Sequence, residues 1–303
     1  MQRLHLSSTG PEFSRLVFGT WRLLDDTEAA TPQGLLARLK ACLDLGITTI
    51  DTAEIYGLYR VEEVIGAALA LDAGVKSRME IVSKAGIYIP CGFHPERKTA
   101  YYNTSADRLV KSVEKSLRFL GVEKLDLFLV HRPDWLTRAD DTAAGLNRLL
   151  RDGKVRAAGV SNYSPAQFRA LSQFMDQPLV TNQVQFSPFC TDPIFDGSFD
   201  QCQELGIHPM AWSPTGGGRL FKADDETGLR LRTVMTALSA KYNNASADAL
   251  CYAWILAHPA APLAVTGTNK IARLQSLAAG ASITMEREDW YSISEAARGQ
   301  SIP

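Results

Sequence analysis

Eight short apolar runs alternate along the chain with longer segments in which apolar residues recur every three or four positions. The runs cover 15–20, 48–52, 79–84, 125–131, 155–161, 179–185, 208–213 and 262–267. Runs of this length between turn-forming residues predict buried strands, and the segments between them predict amphipathic helices. Between the third and fourth runs, Leu109, Val113, Leu117 and Leu120 fall at i, i+4, i+8 and i+11, with Gly121 placed to end the helix. Gly46, Gly153 and Gly206 stand in the same relation to their helices, each just ahead of the next strand. Alternation of this kind predicts a parallel sheet with crossover helices, and its regularity predicts a closed α/β (β/α)₈ TIM barrel.

Outside that repeat, residues 3–6 and 13–17 flank Ser8-Thr9-Gly10-Pro11, which predicts an N-terminal β-hairpin capping one barrel end. Trp290, Ile293 and Ala297 continue a helical stripe past the eighth unit, predicting an extra C-terminal helix. No linker or low-complexity stretch interrupts the pattern, so residues 1–303 are expected to form a single barrel domain. The connection 87–103 is long for its place and carries Pro90, Gly92, Pro95 and three tyrosines, as binding loops and lids do.

Composition narrows the class. A formal net charge of -1 without a basic run argues against nucleic acid or an anionic membrane surface as the main partner. No apolar stretch approaches the roughly 18 residues of a spanning helix, and the N-terminus lacks a sustained apolar segment of the kind that directs secretion. The five cysteines are odd in number and contain no C-x-x-C, so neither a disulfide framework nor a structural metal site is expected. We expect a cytoplasmic protein.

Asp51, Tyr56, Lys84 and His131 carry the candidate chemistry. Each follows an apolar run in one of three consecutive units, and in a (β/α)₈ barrel the groups at the C-terminal strand ends converge on one rim. A phenol, an ammonium, a carboxylate and an imidazole brought together there form an acid–base site. Reducing a carbonyl by hydride leaves an alkoxide that must be protonated, and a phenol with a pKa of about 10 serves only if tuned. Lys84 is expected to favour the phenolate of Tyr56, Asp51 to hold Lys84 charged, and His131 to donate a hydrogen bond to the carbonyl oxygen.

These motifs resemble the aldo-keto reductase superfamily. Asp51-Thr52-Ala53-Glu54-Ile55-Tyr56-Gly57, Ile81-Val82-Ser83-Lys84 and Leu127-Phe128-Leu129-Val130-His131 are similar to its catalytic segments. Further matches are Gly19-Thr20-Trp21, the segment 153–162 ending in Ser161-Asn162, Asn182-Gln183, Trp212-Ser213-Pro214 and Gly267-Thr268-Asn269-Lys270. Within the superfamily, residues 216–221 and 285–299 resemble the YdhF-like bacterial oxidoreductases. The resemblance implies NADP(H) as cofactor and a small-molecule carbonyl as substrate; oligomeric state stays open.

A Rossmann G-x-G-x-x-G string is absent, so a dinucleotide must be held by other means. The resemblance assigns Ser161, Asn162 and Gln183 to the nicotinamide carboxamide, and Trp212 offers a flat face for the ring. Gly19, Thr20, Trp21 and Asp51 belong to the same cofactor set. Ser213 with Gly216, Gly217, Gly218, Arg219 and Leu220 forms a glycine-rich loop whose N–H groups suit a pyrophosphate. Gly267, Thr268 and Asn269 lead into a helix whose first turn carries Lys270 and Arg273, cations that oppose the helix dipole and therefore suit an anionic partner. Where many relatives place an acidic and amide pair on the adenine, this chain has Ser276 and Leu277.

Trp21, Leu58, Tyr59, Trp135 and Phe189 are candidate walls of the substrate pocket. Two other functions fit the same strand ends. Lys84 could act as a Schiff-base nucleophile of a lyase, or the chain could be a nicotinamide-sensing subunit with slow turnover.

Overall fold

The protein's structure, a computed structural model, describes residues 1–222 and 224–302. In chain order its strands are β1 (Arg3–His5), β2 (Glu12–Ser14), β3 (Leu16–Gly19), β4 (Thr49–Asp51), β5 (Glu80–Ala85), β6 (Ile87–Tyr88), β7 (Tyr101–Tyr102), β8 (Leu127–Val130), β9 (Ala158–Ser161), β10 (Asn182–Gln185), β11 (Met210–Trp212) and β12 (Leu263–Thr266). Eight of them, β3, β4, β5 and β8 to β12, close into one barrel. Every pair is parallel, and closure runs through β12 and β3 with Ala264 opposite Leu16 and Thr266 opposite Phe18. Each barrel strand lies within or one residue beyond an apolar run of the sequence. The protein is thus a (β/α)₈ barrel.

Strand periodicity of two separates the core into two clusters. Leu16, Phe18, Ile50, Phe128 and Val130 join the large cluster under the helices. Val17, Val82, Leu127, Leu129 and Val265 form a second cluster inside the barrel, closed at one end by Leu6 and Phe13 beside the β1–β2 hairpin. The hairpin pairs Arg3 with Ser14 and His5 with Glu12. Buried on both faces, the barrel strands read as near-continuous apolar runs, which is why they stand out in the sequence.

The helix Ala106–Leu120 buries Leu109, Val113 and Leu120 and ends at Gly121, whose φ of 66° is the left-handed terminator expected from the pattern. The C-terminal helix spans Arg287–Arg298. It docks through Trp290, which stacks on Trp254 with ring centroids 4.8 Å apart. The 87–103 connection is not open loop throughout: β6 and β7 pair antiparallel, and the Tyr59 phenol accepts hydrogen bonds there from Ile89 N at 3.0 Å and Arg97 Nη1 at 2.7 Å. Among the described residues no helix is long and apolar enough to cross a membrane.

Candidate active site

Lys84 is placed by the alternation that builds the core. It follows Val82 by two residues on β5 and so shares the inner face, while Ser83 between them turns outward to Glu62, 2.6 Å away. The Lys84 side chain is 0% exposed. Its Nζ donates to Asp51 Oδ2 at 2.7 Å, to the Thr52 carbonyl at 2.8 Å and to Tyr56 Oη at 3.2 Å. Three donors meet three acceptors, which satisfies a buried ammonium. The second oxygen of Asp51 accepts from Gln183 Nε2 at 2.7 Å.

Tyr56 reaches this group because the chain after it turns tightly. Gly57, Leu58 and Tyr59 all have positive φ, at 55°, 54° and 71°. A Cβ on Gly57 would meet Leu24 and Val61 side chains at 2.4 and 2.8 Å, so both space and φ require glycine there. The Tyr56 ring packs edge-on against Trp21 at 4.9 Å and His131 at 5.8 Å.

Burial governs the protonation states. It pushes the Tyr56 phenol above its ordinary value, outweighing the Lys84 ammonium that pulls the other way. Lys84 thus acts on Tyr56 in the expected direction, toward the phenolate, while the loss of hydration is the larger effect. For Lys84 burial acts to lower the pKa, but Asp51 and Tyr56 together raise it above the ordinary value. His131 is held well below its ordinary value by burial, with Lys84 and Arg132 adding to the effect. At neutral pH the group is a protonated phenol, an ammonium and a neutral imidazole. His131 Nδ1 is buried without a hydrogen-bond partner among the described residues.

These groups open into a cleft of about 630 Å³ lined by Gly19, Trp21, Asp51, Tyr56, His131, Ser161, Asn162, Gln183, Trp212, Ser213, Gly217, Gly218, Gly267, Thr268 and Arg273. Asn162 and Ser213, at the ends of β9 and β11, carry positive φ of 60° and 55° without being glycine. Such strain, at two strand ends facing one cleft, is typical of functional sites. Asn162 bridges the rim: its Nδ2 donates to Ser161 Oγ at 2.8 Å and its Oδ1 accepts Trp212 Nε1 at 3.1 Å.

Several expected contacts lie elsewhere. Thr20 is not among the lining residues; its hydroxyl donates to the Asp51 carbonyl at 3.0 Å, tying β3 to β4. Gly216, Gly217 and Gly218 all have positive φ, and while Gly217 and Gly218 line the cleft, Arg219 pairs with Asp225 at 2.6 Å and Leu220 is buried in the core. Phe189 does not wall the cleft; its ring packs on Gly216, where a Cβ would approach it to 2.6 Å. Asn269 is buried and fastens loops, donating to Arg22 O at 2.8 Å and accepting Arg38 Nε at 2.7 Å. Lys270 is exposed at the N-cap of the helix Ile271–Gly280 and lies outside the lining, unlike Arg273.

Of the remaining pocket candidates, Leu58 is exposed on the left-handed turn, Tyr59 is committed to the β6–β7 loop, and Trp135 is 83% exposed against Tyr102. None of the three lines the cleft. Lining residues missed in the sequence include Arg22, Arg132, Phe221 and Asp248. Arg22 and Arg132 adjoin Trp21 and His131 at strand ends, a signal that was available. Asp248 comes from the helix Ala247–Leu256, ahead of its strand, and carried none.

Comparison with known proteins agrees with this architecture. The model of the aldo/keto reductase family matches residues 15–298. The chain is 42% identical to Oxidoreductase YdhF of Escherichia coli (strain K12) and 40% identical to 6-dehydroglucose reductase of Agrobacterium fabrum (strain C58 / ATCC 33970), each over 100% of both chains. Among solved structures, an aldo/keto reductase from Klebsiella pneumoniae in complex with NADP and acetate superposes with a TM-score of 0.78 at 26% identity, covering 99% of this chain and 97% of that one. Barrel, strand-end groups and family match together show that this chain belongs to the aldo/keto reductase family.

Proposed function

We propose that the chain is an NADPH-dependent reductase of aldehydes or ketones, one barrel domain over residues 1–303, with Tyr56 as proton donor. The observation that carries the reading is the buried Lys84 ammonium joined to both Asp51 and Tyr56. A protonated phenol beside a fixed cation can give up its proton to a nascent alkoxide, because the cation stabilises the phenolate left behind. Neutral His131 would donate a hydrogen bond to the carbonyl oxygen, and its unpartnered Nδ1 leaves the ring free to carry its proton on Nε2.

The cleft suits a dinucleotide. Gly217 and Gly218 leave open space in which a Cβ would meet only the Arg22 guanidinium, beyond 3.5 Å, and Gly267 has nothing within 4 Å. Room beside glycines and guanidinium groups is what a pyrophosphate requires. Ser161, Asn162 and Gln183 would hold the carboxamide, Trp212 would stack on the ring, and Arg273 would take the 2′-phosphate. When bound, the reduced nicotinamide supplies hydride to the carbonyl carbon. Gln183 spends its Nε2 on Asp51, so its Oε1 is the atom left to accept from a carboxamide.

The lyase reading is disfavoured because Lys84 is held charged and all three of its N–H groups are engaged, which leaves no lone pair for attack on a carbonyl. The test is fluorescence titration with NADPH and NADH, followed by turnover on a panel of aldehydes, ketones and sugar aldehydes. Binding with turnover supports the reductase. Tight binding without turnover across the panel would make the chain a nicotinamide sensor, and borohydride trapping of a carbonyl on Lys84 would revive the lyase.

A further inference from the structure

Asp248 is an acid paired with Arg273, the arginine that lines the cleft. It is the second residue of the helix Ala247–Leu256, is buried, and accepts from Ala249 N at 3.1 Å and from Ser246 Oγ. An acid at a helix N-terminus needs no further reason. This one, however, also lines the cleft and lies 3.3 Å from Arg273 Nε, while the Arg273 guanidinium stacks 4.4 Å over the Phe221 ring. Phe221 and Arg273 line the same cleft.

Dinucleotide sites elsewhere divide these roles: a carboxylate accepts from the ribose 2′-hydroxyl of NADH, and an arginine binds the 2′-phosphate of NADPH. Here both groups face one cleft, already paired. A phosphate at Arg273 must share the guanidinium with a buried carboxylate and bear its repulsion, whereas a 2′-hydroxyl carries no charge to repel. Resting on the dinucleotide reading above, we propose that Asp248 is a specificity-determining residue that restrains the chain's preference for NADPH over NADH by partly neutralising Arg273.

Asp248→Asn isolates the charge, since the amide oxygen can still accept from Ala249 N. Dissociation constants for NADPH and NADH are measured by quenching of tryptophan fluorescence in the unmodified protein and the variant, with urea unfolding as a check on the fold. The variant should bind NADPH about five- to tenfold more tightly and NADH within about twofold of the original, the scale of one partly screened charge. Asp248→Ala, which removes the charge without adding an amide, should shift in the same direction and serves if the first variant folds poorly. Weaker NADPH binding in both variants would mean that Asp248 orients Arg273 and supports the phosphate, overturning the proposal. Equal shifts for the two cofactors would make Asp248 a helix cap only. If the unmodified protein binds neither cofactor, the dinucleotide reading falls and the proposal with it.

Discussion

Tyr56 Oη lies 3.2 Å from Lys84 Nζ, a longer contact than the 2.7 Å that the same ammonium makes to Asp51. Lysine is thus anchored by the carboxylate and offers its remaining proton to the phenol. If Tyr56 is the proton donor, Tyr56→Phe removes the hydroxyl and spares the cofactor contacts. Turnover should drop at least about 100-fold with little change in NADPH affinity. Near-normal turnover would exclude Tyr56 as the acid.

Lys84 would act through that phenol. Lys84→Met should therefore be about as damaging as Tyr56→Phe, and the double variant should be no slower than the worse single one. Multiplicative losses in the double variant would show that Lys84 works independently of Tyr56.

The protonation states predict a pH profile. Tyr56 is raised and His131 lowered relative to their ordinary values, so neither should titrate between about pH 6.5 and pH 9. Single-turnover reduction at saturating NADPH should be flat across that window. Stability behaves differently: unfolded His131 takes up a proton near its ordinary pKa of about 6.5, while the folded ring resists it. Its contribution to stability is complete above that pH and is lost as pH falls toward the depressed folded value. Urea midpoints measured from pH 7.5 to 5 should decline, and His131→Gln should flatten part of the decline.

Arg273 is predicted to separate the two cofactors. Its guanidinium lines the cleft, and loss of a charge-assisted contact to a 2′-phosphate costs about 1.5–3 kcal/mol, roughly 10- to 150-fold in affinity. Arg273→Ala should weaken NADPH by that factor and leave NADH nearly untouched, with the NADPH loss shrinking at high salt. Wild-type preference for NADH would overturn the assignment.

The C-terminal helix is held by an unusual reciprocity. Trp254 Nε1 donates to the Trp290 carbonyl at 3.1 Å, Trp290 Nε1 donates to the Trp254 carbonyl at 2.9 Å, and the two rings stack. Trp290→Ala removes the stack and orphans one carbonyl, and should destabilise the fold by about 3 kcal/mol. A shift in urea midpoint worth less than about 1 kcal/mol would show the helix to be a peripheral addition.

The strands were legible because a parallel barrel buries both of their faces, so each appears as an apolar run that needs no partner to be recognised. Helix ends were legible for a related reason: Gly121 marks a local backbone requirement, a positive φ, that the residue type announces. Loop residues were harder. Trp135 and Leu58 are apolar near strand ends, yet both are exposed, because which way a loop side chain faces depends on turns such as the left-handed run at 57–59.

Sequence alone determined the barrel, its closing hairpin and the set of polar groups at consecutive strand ends, since these follow from local periodicity and from the rule that strand termini share a rim. Only the tertiary structure decided their energetics. It left Tyr56 raised in pKa despite the downward pull of Lys84, because lost hydration depends on complete burial. It also brought Asp248 to 3.3 Å from Arg273, a meeting of two helices flanking one strand. Distances and dielectric surroundings arise from packing between distant segments, and no spacing along the chain encodes them.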